Sequence, residues 1–309
     1  MRNTKDYVLL YLKGVSMGGA DVIPGVSGGT IAFITGIYQE LLESIKSFDK
    51  TALSLLFRFD LKDLWRHVNG SFLLVLFAGI GTSIISLAKL IHYLINNEPI
   101  PLWSFFFGLI VISALQVARE IKKWNFAVVF AGIAGIVVAY FVTSATPATT
   151  PDGYFFIFFS GMIAICAMIL PGISGSFILL IMGKYEYIIG AVKDLNVVVL
   201  LVFGAGCVTG LLGFSHIVSW FLRKYHDITV AVLAGFMVGS LNKIWPWKEV
   251  LETRLTSKGE VVPLVERNLL PNDYIQKVGD PHMLQALLFF GIGILLIILI
   301  EKIANDYGK

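Results

Sequence analysis

The sequence predicts an all-α polytopic membrane protein made of two inverted-topology repeats, each a re-entrant helical hairpin plus about three transmembrane helices. Three observations predict it: long apolar runs, a polar chain break that occurs twice, and a lopsided distribution of lysine and arginine. The 309 residues are 56% hydrophobic and only 15% charged. Soluble domains run at about 45–50% apolar and about 25% charged. SFLLVLFAGIGTSIISL, LWSFFFGLIVISAL, FAVVFAGIAGIVVAYFV, NVVVLLVFGAGCVTGLLGF and MLQALLFFGIGILLIILI are each long enough, or nearly so, to cross roughly 30 Å of hydrocarbon as a helix. Five such runs exclude a buried soluble core.

The net charge of +3 says little about partners and calls for no nucleic acid. Cys166 and Cys207 both lie in apolar runs and read as packing residues. The five histidines show no metal-ligand spacing, and nothing asks for a cofactor. The first apolar stretch is interrupted by Lys13 and Asp21 and lacks a small-residue cleavage site, so no cleavable signal peptide is expected.

The break first appears in ADVIPGVSGGTIAFITGIY, from Ala20 to Tyr38, and again in AMILPGISGSFILLIMGKY, from Ala167 to Tyr185. At a constant offset of 147, Pro24 meets Pro171, Gly25 meets Gly172, Ser27 meets Ser174, and Gly28 meets Gly175. Gly36 with Gly183 and Tyr38 with Tyr185 keep the same register. Weaker glycine matches follow in the same order in both halves. The chain therefore divides into a first membrane repeat, 1–147, and a second, 148–309, within one integral membrane domain.

Lysine and arginine placement sets the orientation. With the N-terminus cytoplasmic and each broken segment returning to its own side, 14 of the 24 basic residues fall inside. They include Lys46, Arg66, Arg119, Lys122, Arg223 and Lys302. Lys193 and a long loop, 243–283, fall outside. Three full spans per half then invert the second half, and the two hairpins meet near the midplane, as in many secondary transporters. Full crossing by the broken segments, giving ten crossings, is the alternative and also leaves both termini inside.

Pro24 and Pro171 each remove a backbone donor. The glycines that follow permit positive φ and bring bare backbone to the surface. Irregular backbone survives at membrane depth only inside protein or along a wet cavity. Ser27 and Ser174 are natural N-caps for the helices resuming at Gly28 and Gly175. Two helix N-termini aimed at the protein's centre would form an anion site. A Gly/Pro kink serving only close helix packing is the bland reading.

Asp21 lies three residues before Pro24, and its counterpart is Met168. An ionisable group within a span is a functional candidate by default, so Asp21 is assigned a gating or proton-carrying role. Lys89, Arg119 and Lys184 are possible charge partners. Lys89 either snorkels outward or pairs with phosphate; Arg119 opens a basic R-E-I-K-K cluster where snorkelling is normal. Glu40 and Glu186 read as interface residues. The segment 46–70 is too polar to span and forms either an interfacial helix or a cytoplasmic linker. Loop 243–283 reads as a small outer cap without chemistry.

The pair GADVIPGVSGGT…GIY and ILPGISGS…GKY resembles the bacterial polyprenyl-phosphate transporter family, across essentially the whole chain. The resemblance implies an undecaprenyl-phosphate translocase of the cytoplasmic membrane, returning a carrier lipid of cell-wall synthesis from the outer leaflet to the inner one. It carries phosphate binding onto Pro24, Gly25, Ser27, Gly28, Gly29 and Thr30, and onto Pro171, Gly172, Ser174, Gly175 and Ser176. A more distant likeness links the motif to membrane undecaprenyl-pyrophosphate phosphatases, which carry P-G-x-S-R-S after paired acidic residues. Here Gly28 and Gly29 stand at the Arg and second Ser positions, and of the acidic pair only Asp21 remains. Phosphoryl cleavage needs a cation on the departing group. The expectation is therefore a carrier rather than an enzyme, with the phosphatase as the alternative.

Overall fold

The computed structural model describes residues 2–22, 26–145, 150–255 and 261–307. The first half contains α1 (Thr4–Asp21), α2 (Gly28–Ile34), α3 (Tyr38–Lys46), α4 (Lys50–Phe57), α5 (Leu61–His67), α6 (Gly70–Asn97), α7 (Pro99–Arg119) and α8 (Phe126–Ser144). The second contains α9 (Tyr154–Ile169), α10 (Gly175–Ile181), α11 (Tyr185–Lys193), α12 (Val197–Lys224) and α13 (His226–Ser240). A two-stranded antiparallel sheet, β1 (Lys248–Leu255) and β2 (Val261–Asn268), then precedes α14 (Pro271–Lys277) and α15 (Met283–Tyr307). Among the described residues, five helices (α6, α7, α8, α12 and α15) are long and apolar enough to cross a membrane, and α13 is shorter at 15 residues.

Asparagines mark several helix starts. Asn3 caps α1 through a capping box with Asp6, Asn125 accepts from Val128 N, and Asn196 accepts from Val199 N. Each satisfies an N–H that the first turn leaves open.

Glycines set the helix pairs. Gly14 meets Leu76 and Gly79, and Gly18 meets Ile80 and Ser83, so α1 runs parallel to α6. The second half repeats this. Gly161 meets Phe203 and Cys207, and Gly210 meets Met162 and Ile165, so α9 runs parallel to α12. The remaining helices pair across the halves. Gly293 of α15 meets Phe105 and Leu109 of α7, and Gln116 Nε2 donates to Glu301 Oε2 at 2.5 Å, which makes α7 and α15 parallel. Gly132 and Gly239 set α8 parallel to α13, against Ala231 and Ile136. Small residues at such crossings let backbones touch, the main source of association energy between helices in lipid. A Cβ on Gly293 would collide with the Phe105 carbonyl. Gly293→Val should cost about 1–3 kcal/mol through overpacking. A lower thermal midpoint in detergent is the expected readout.

Polar contacts define two ends of the bundle. At one end Arg2 pairs with Glu40, Asn69 Nδ2 donates to Glu40 Oε1 at 2.9 Å, and Arg223 Nη1 donates to Glu43 at 3.1 Å. Asp227 joins this end by accepting from Lys122 N at 3.2 Å and Lys123 N at 3.0 Å. At the other end Asn242 Nδ2 donates to Ser144 Oγ at 3.0 Å, Lys184 pairs with Asp152, and Trp247 packs on Ile100 and Ala286.

Between the ends the outer surface is apolar. Phe77, Ile85, Phe130, Leu201, Leu287 and Leu295 are all exposed. This is the pattern of a helix bundle facing hydrocarbon, and the protein is a multi-pass membrane protein. The segment 46–70 holds two short helices, with Phe57, Phe59, Leu61 and Trp65 exposed around the break between them. The β-hairpin is the one departure from an all-helical plan among the described residues. It lies in the loop 243–283, where EVLETRL and VVPLVERN alternate β-branched and charged residues as half-exposed strands do.

Candidate functional site: two chain breaks in contact

The two breaks touch. Ser27 Oγ donates to Leu170 O at 3.1 Å and lies 3.4 Å from Met168 O. In return Gly172 N donates to Thr30 Oγ1 at 3.1 Å. Ser27 and Thr30 are 1% and 0% exposed, so these bonds lie in the protein interior. Side chains of the first break thus satisfy backbone groups that the second leaves open, which is how irregular backbone is tolerated away from water.

The resumption of helix after the first break follows from local chemistry. Ser27 is extended (φ −123°, ψ 129°) and its Oγ accepts from Gly29 N at 3.1 Å. Asp21, the last residue of α1, accepts from Gly28 N through Oδ1 at 2.7 Å. A Cβ on Gly28 would lie 2.5 Å from the Asp21 carboxylate, so a larger residue there would push that carboxylate aside. Gly29 must be small as well, since its Cβ would lie 2.7 Å from the Ile169 carbonyl. The first two N–H groups of α2 are therefore taken by the protein's own carboxylate and hydroxyl. The sequence reading expected open donors at both breaks, and the geometry leaves only the second without a side-chain cap.

The second break differs. No side chain caps α10, and Ser174 Oγ bonds to Ser176 Oγ at 2.9 Å instead. Gly172 has φ +89°, and a Cβ there would sit 2.9 Å from the Met237 backbone in α13. Gly175 faces Ala164 and Met168, as Gly28 faces Asp21. The 147-residue offset is thus visible in three dimensions, with methionine where the first half has a carboxylate. Pro171, Gly172, Ser174 and Gly175 are buried, and Ser176 is exposed. Pro24 and Gly25 lie outside the described residues.

The far ends of the two short helices are capped in parallel ways. Lys13 Nζ donates to Thr35 O at 2.7 Å after α2. Thr150 Oγ1 donates to Met182 O, also at 2.7 Å, after α10. Thr35 and Met182 are again 147 residues apart. Lys184, only 1% exposed, holds this second cap through Thr150 O at 2.6 Å and Asp152 Oδ1 at 2.5 Å. It sits at the opposite end of α10 from Ser174. Gly36 (φ +73°) and Gly183 (φ +66°) make the two turns that follow.

The structure thus brings Asp21, Ser27, Gly28, Gly29 and Thr30 together with Gly172, and keeps Ser174, Gly175 and Ser176 within a few residues of that contact. Lys89 is exposed on α6, and Arg119 is exposed at the end of α7, beside the basic cluster. Neither forms a hydrogen bond or ion pair with the breaks among the described residues. Sequence reasoning missed the cap made by Thr150, a residue in a polar linker with nothing to single it out. Lys13 was visible as a charge inside a span, but its partner 22 residues later was not.

Paired breaks inside a bundle of spanning helices define a class: a polytopic helical membrane transporter. Residues 17–262 match the model of the VCA0040-like family, described as undecaprenyl phosphate translocase-like. The chain is 50% identical over 303 residues to a polyprenyl-phosphate transporter of Vibrio cholerae serotype O1 (strain ATCC 39315 / El Tor Inaba N16961), covering 98% of both chains. It is 32% identical over 254 residues to a polyprenyl-phosphate transporter of Staphylococcus aureus (strain NCTC 8325 / PS 47), covering 76% of this chain and 85% of that one. No solved structure matches the chain. The chain belongs to the VCA0040-like, undecaprenyl phosphate translocase-like family, and its relatives are transporters rather than enzymes.

Proposed function

We propose that the protein carries a polyprenyl phosphate, undecaprenyl phosphate, from the outer to the inner leaflet of the bacterial cytoplasmic membrane, recycling the carrier lipid. The names of both relatives supply the cargo class. The observation that carries the reading is the direct bonding of the two breaks, Ser27 to Leu170 and Gly172 to Thr30. It supports a head-group site at which Ser27, Gly28, Gly29 and Thr30 stand beside Gly172, with Ser174, Gly175 and the exposed Ser176 a few residues on. The head group would bind there while its isoprenoid tail stays in the bilayer.

In this reading the halves are inverted repeats and each broken segment is re-entrant. The directions of the pairs support inversion: α7 and its counterpart α13 run in opposite senses, as do α8 and α15. Arg2 beside Glu40, and Asp152 beside Lys184, support hairpins that return to the end they entered. The end carrying Arg2, Arg119, Lys122, Lys123 and Arg223 is then cytoplasmic by charge. Asp21 gates the cycle, by occupying donors that a phosphate would otherwise take, and protonation is one way to withdraw it.

Purified protein reconstituted into vesicles with labelled undecaprenyl phosphate tests the reading. Transfer between leaflets without release of inorganic phosphate is the expected result. Release of phosphate from undecaprenyl pyrophosphate would replace the carrier with an enzyme.

A further inference from the structure

The outer cap folds two lysines toward the second break. Lys243, just after α13, donates from Nζ to Glu266 Oε2 at 3.0 Å and lies 4.9 Å from the centre of the Phe177 ring. Phe177 belongs to α10 and follows the exposed Ser176 directly. Lys248 Nζ donates to the Lys243 carbonyl at 2.6 Å, reaches the same Glu266 oxygen at 3.5 Å, and sits 4.4 Å over the Trp103 ring. Among the described residues, Glu266 is the one carboxylate bonded to either ammonium. The Lys248 side chain is 8% exposed, whereas that of Lys243 keeps 21% of its surface open.

Two cations therefore share one anion in a mostly dry place. Buried charge is tolerated when it is balanced, and here one positive charge is left over. A phosphate monoester carries roughly −1.5 to −2 charges at pH 7 and accepts through several oxygens. Lysine is a common point-charge partner for such a group. The surrounding rings, Trp103, Trp245, Trp247 and Phe177, are of the type found where a membrane protein meets the head-group layer.

We propose that Lys243 and Lys248, with Glu266 as resident counter-ion, form a docking site for the phosphate of the lipid before it reaches the second break. This rests on the transport reading above and adds to it a place of first capture. Glu266 holds the lysines apart from bulk anions and yields them to a dianion. Lys243 links the capture point to α10 through Phe177, so the head group arrives next to Ser176 and Ser174.

The full-length protein in lipid nanodiscs, titrated with farnesyl phosphate and followed by tryptophan fluorescence, tests this. K243Q and K248Q are each expected to weaken the apparent Kd by about tenfold, the loss of one charged hydrogen bond. E266Q is expected to tighten it several-fold by removing the competing anion. Burial in the cap lowers the Lys248 ammonium to about 8, so wild-type capture also weakens as pH rises through that value. Inorganic phosphate competing at the same lysines supports a head-group site; farnesol competing as well as farnesyl phosphate overturns it. Three variants with lowered thermal midpoints and an unchanged Kd would make the cluster a structural clamp and overturn the proposal. Wild-type transport with unchanged Kd in all three variants removes this site alone. Absence of both binding and transport in the wild type removes the transport reading itself.

Discussion

Ser27→Leu is expected to abolish transport while the protein still inserts into the membrane. Ser27 Oγ serves both breaks, accepting from Gly29 N and donating to Leu170 O. Leucine removes both bonds, orphans a buried carbonyl and N–H, and adds volume at a site only 1% exposed. An unsatisfied buried group costs about 1–3 kcal/mol, and overpacking adds about 1–3 kcal/mol. The arrangement in which the breaks touch then becomes at least about thirtyfold less populated. The spanning helices do not depend on this contact, since their pairs are made by glycines elsewhere, so yield in the membrane fraction should hold. A vesicle assay that reads wild-type transfer rates from Ser27→Leu protein would reduce the breaks to scaffolding.

Asp21→Asn is expected to change the pH dependence of transport. Asparagine keeps an oxygen that can accept from Gly28 N, so the start of α2 survives. What it loses is the charge and the ability to take a proton. If Asp21 holds the donors of the first break against the phosphate and yields them on protonation, the variant should transfer lipid with a flattened pH profile. Rates measured across a pH series in the same vesicles decide the matter. A profile identical to that of the wild type would leave Asp21 as a helix cap and nothing more. Asp21→Ala, which also strips the cap, should lose stability as well, and the comparison separates the two roles.

Much of this was legible in the sequence because its strongest signals are one-dimensional. Apolar run length marks the five long helices, and a gapless 147-residue offset marks both breaks. α13 was harder, since its 15 residues fall short of a full span and only its packing on α8 reveals its place. The contact between the breaks joins Ser27 to the carbonyl of Leu170, 143 residues on, and Thr30 to the N–H of Gly172, 142 residues on. Nothing local announces such a pair. The internal occupation of the first break by Asp21 was hidden for a similar reason: sequence placed a carboxylate near the turn, but not with its oxygen on Gly28 N. The outer cap was read as devoid of chemistry because Lys243, Lys248 and Glu266 converge only once β1 and β2 pair.

The cross-pairing of α7 with α15 and of α8 with α13 restricts how the protein can move. The halves are interlaced like clasped hands, so neither can tilt as a solid block without tearing glycine contacts such as Gly293 on Phe105. The units left to shift are the outlying ones, α1 with α6 and α9 with α12, each carrying one break at its tip and meeting the other through Ser27 on Leu170 and Arg223 on Glu43. Cargo would then cross a stationary central frame by small slides of two flanking arms, and probes placed on the arms, not across the frame, should register the cycle.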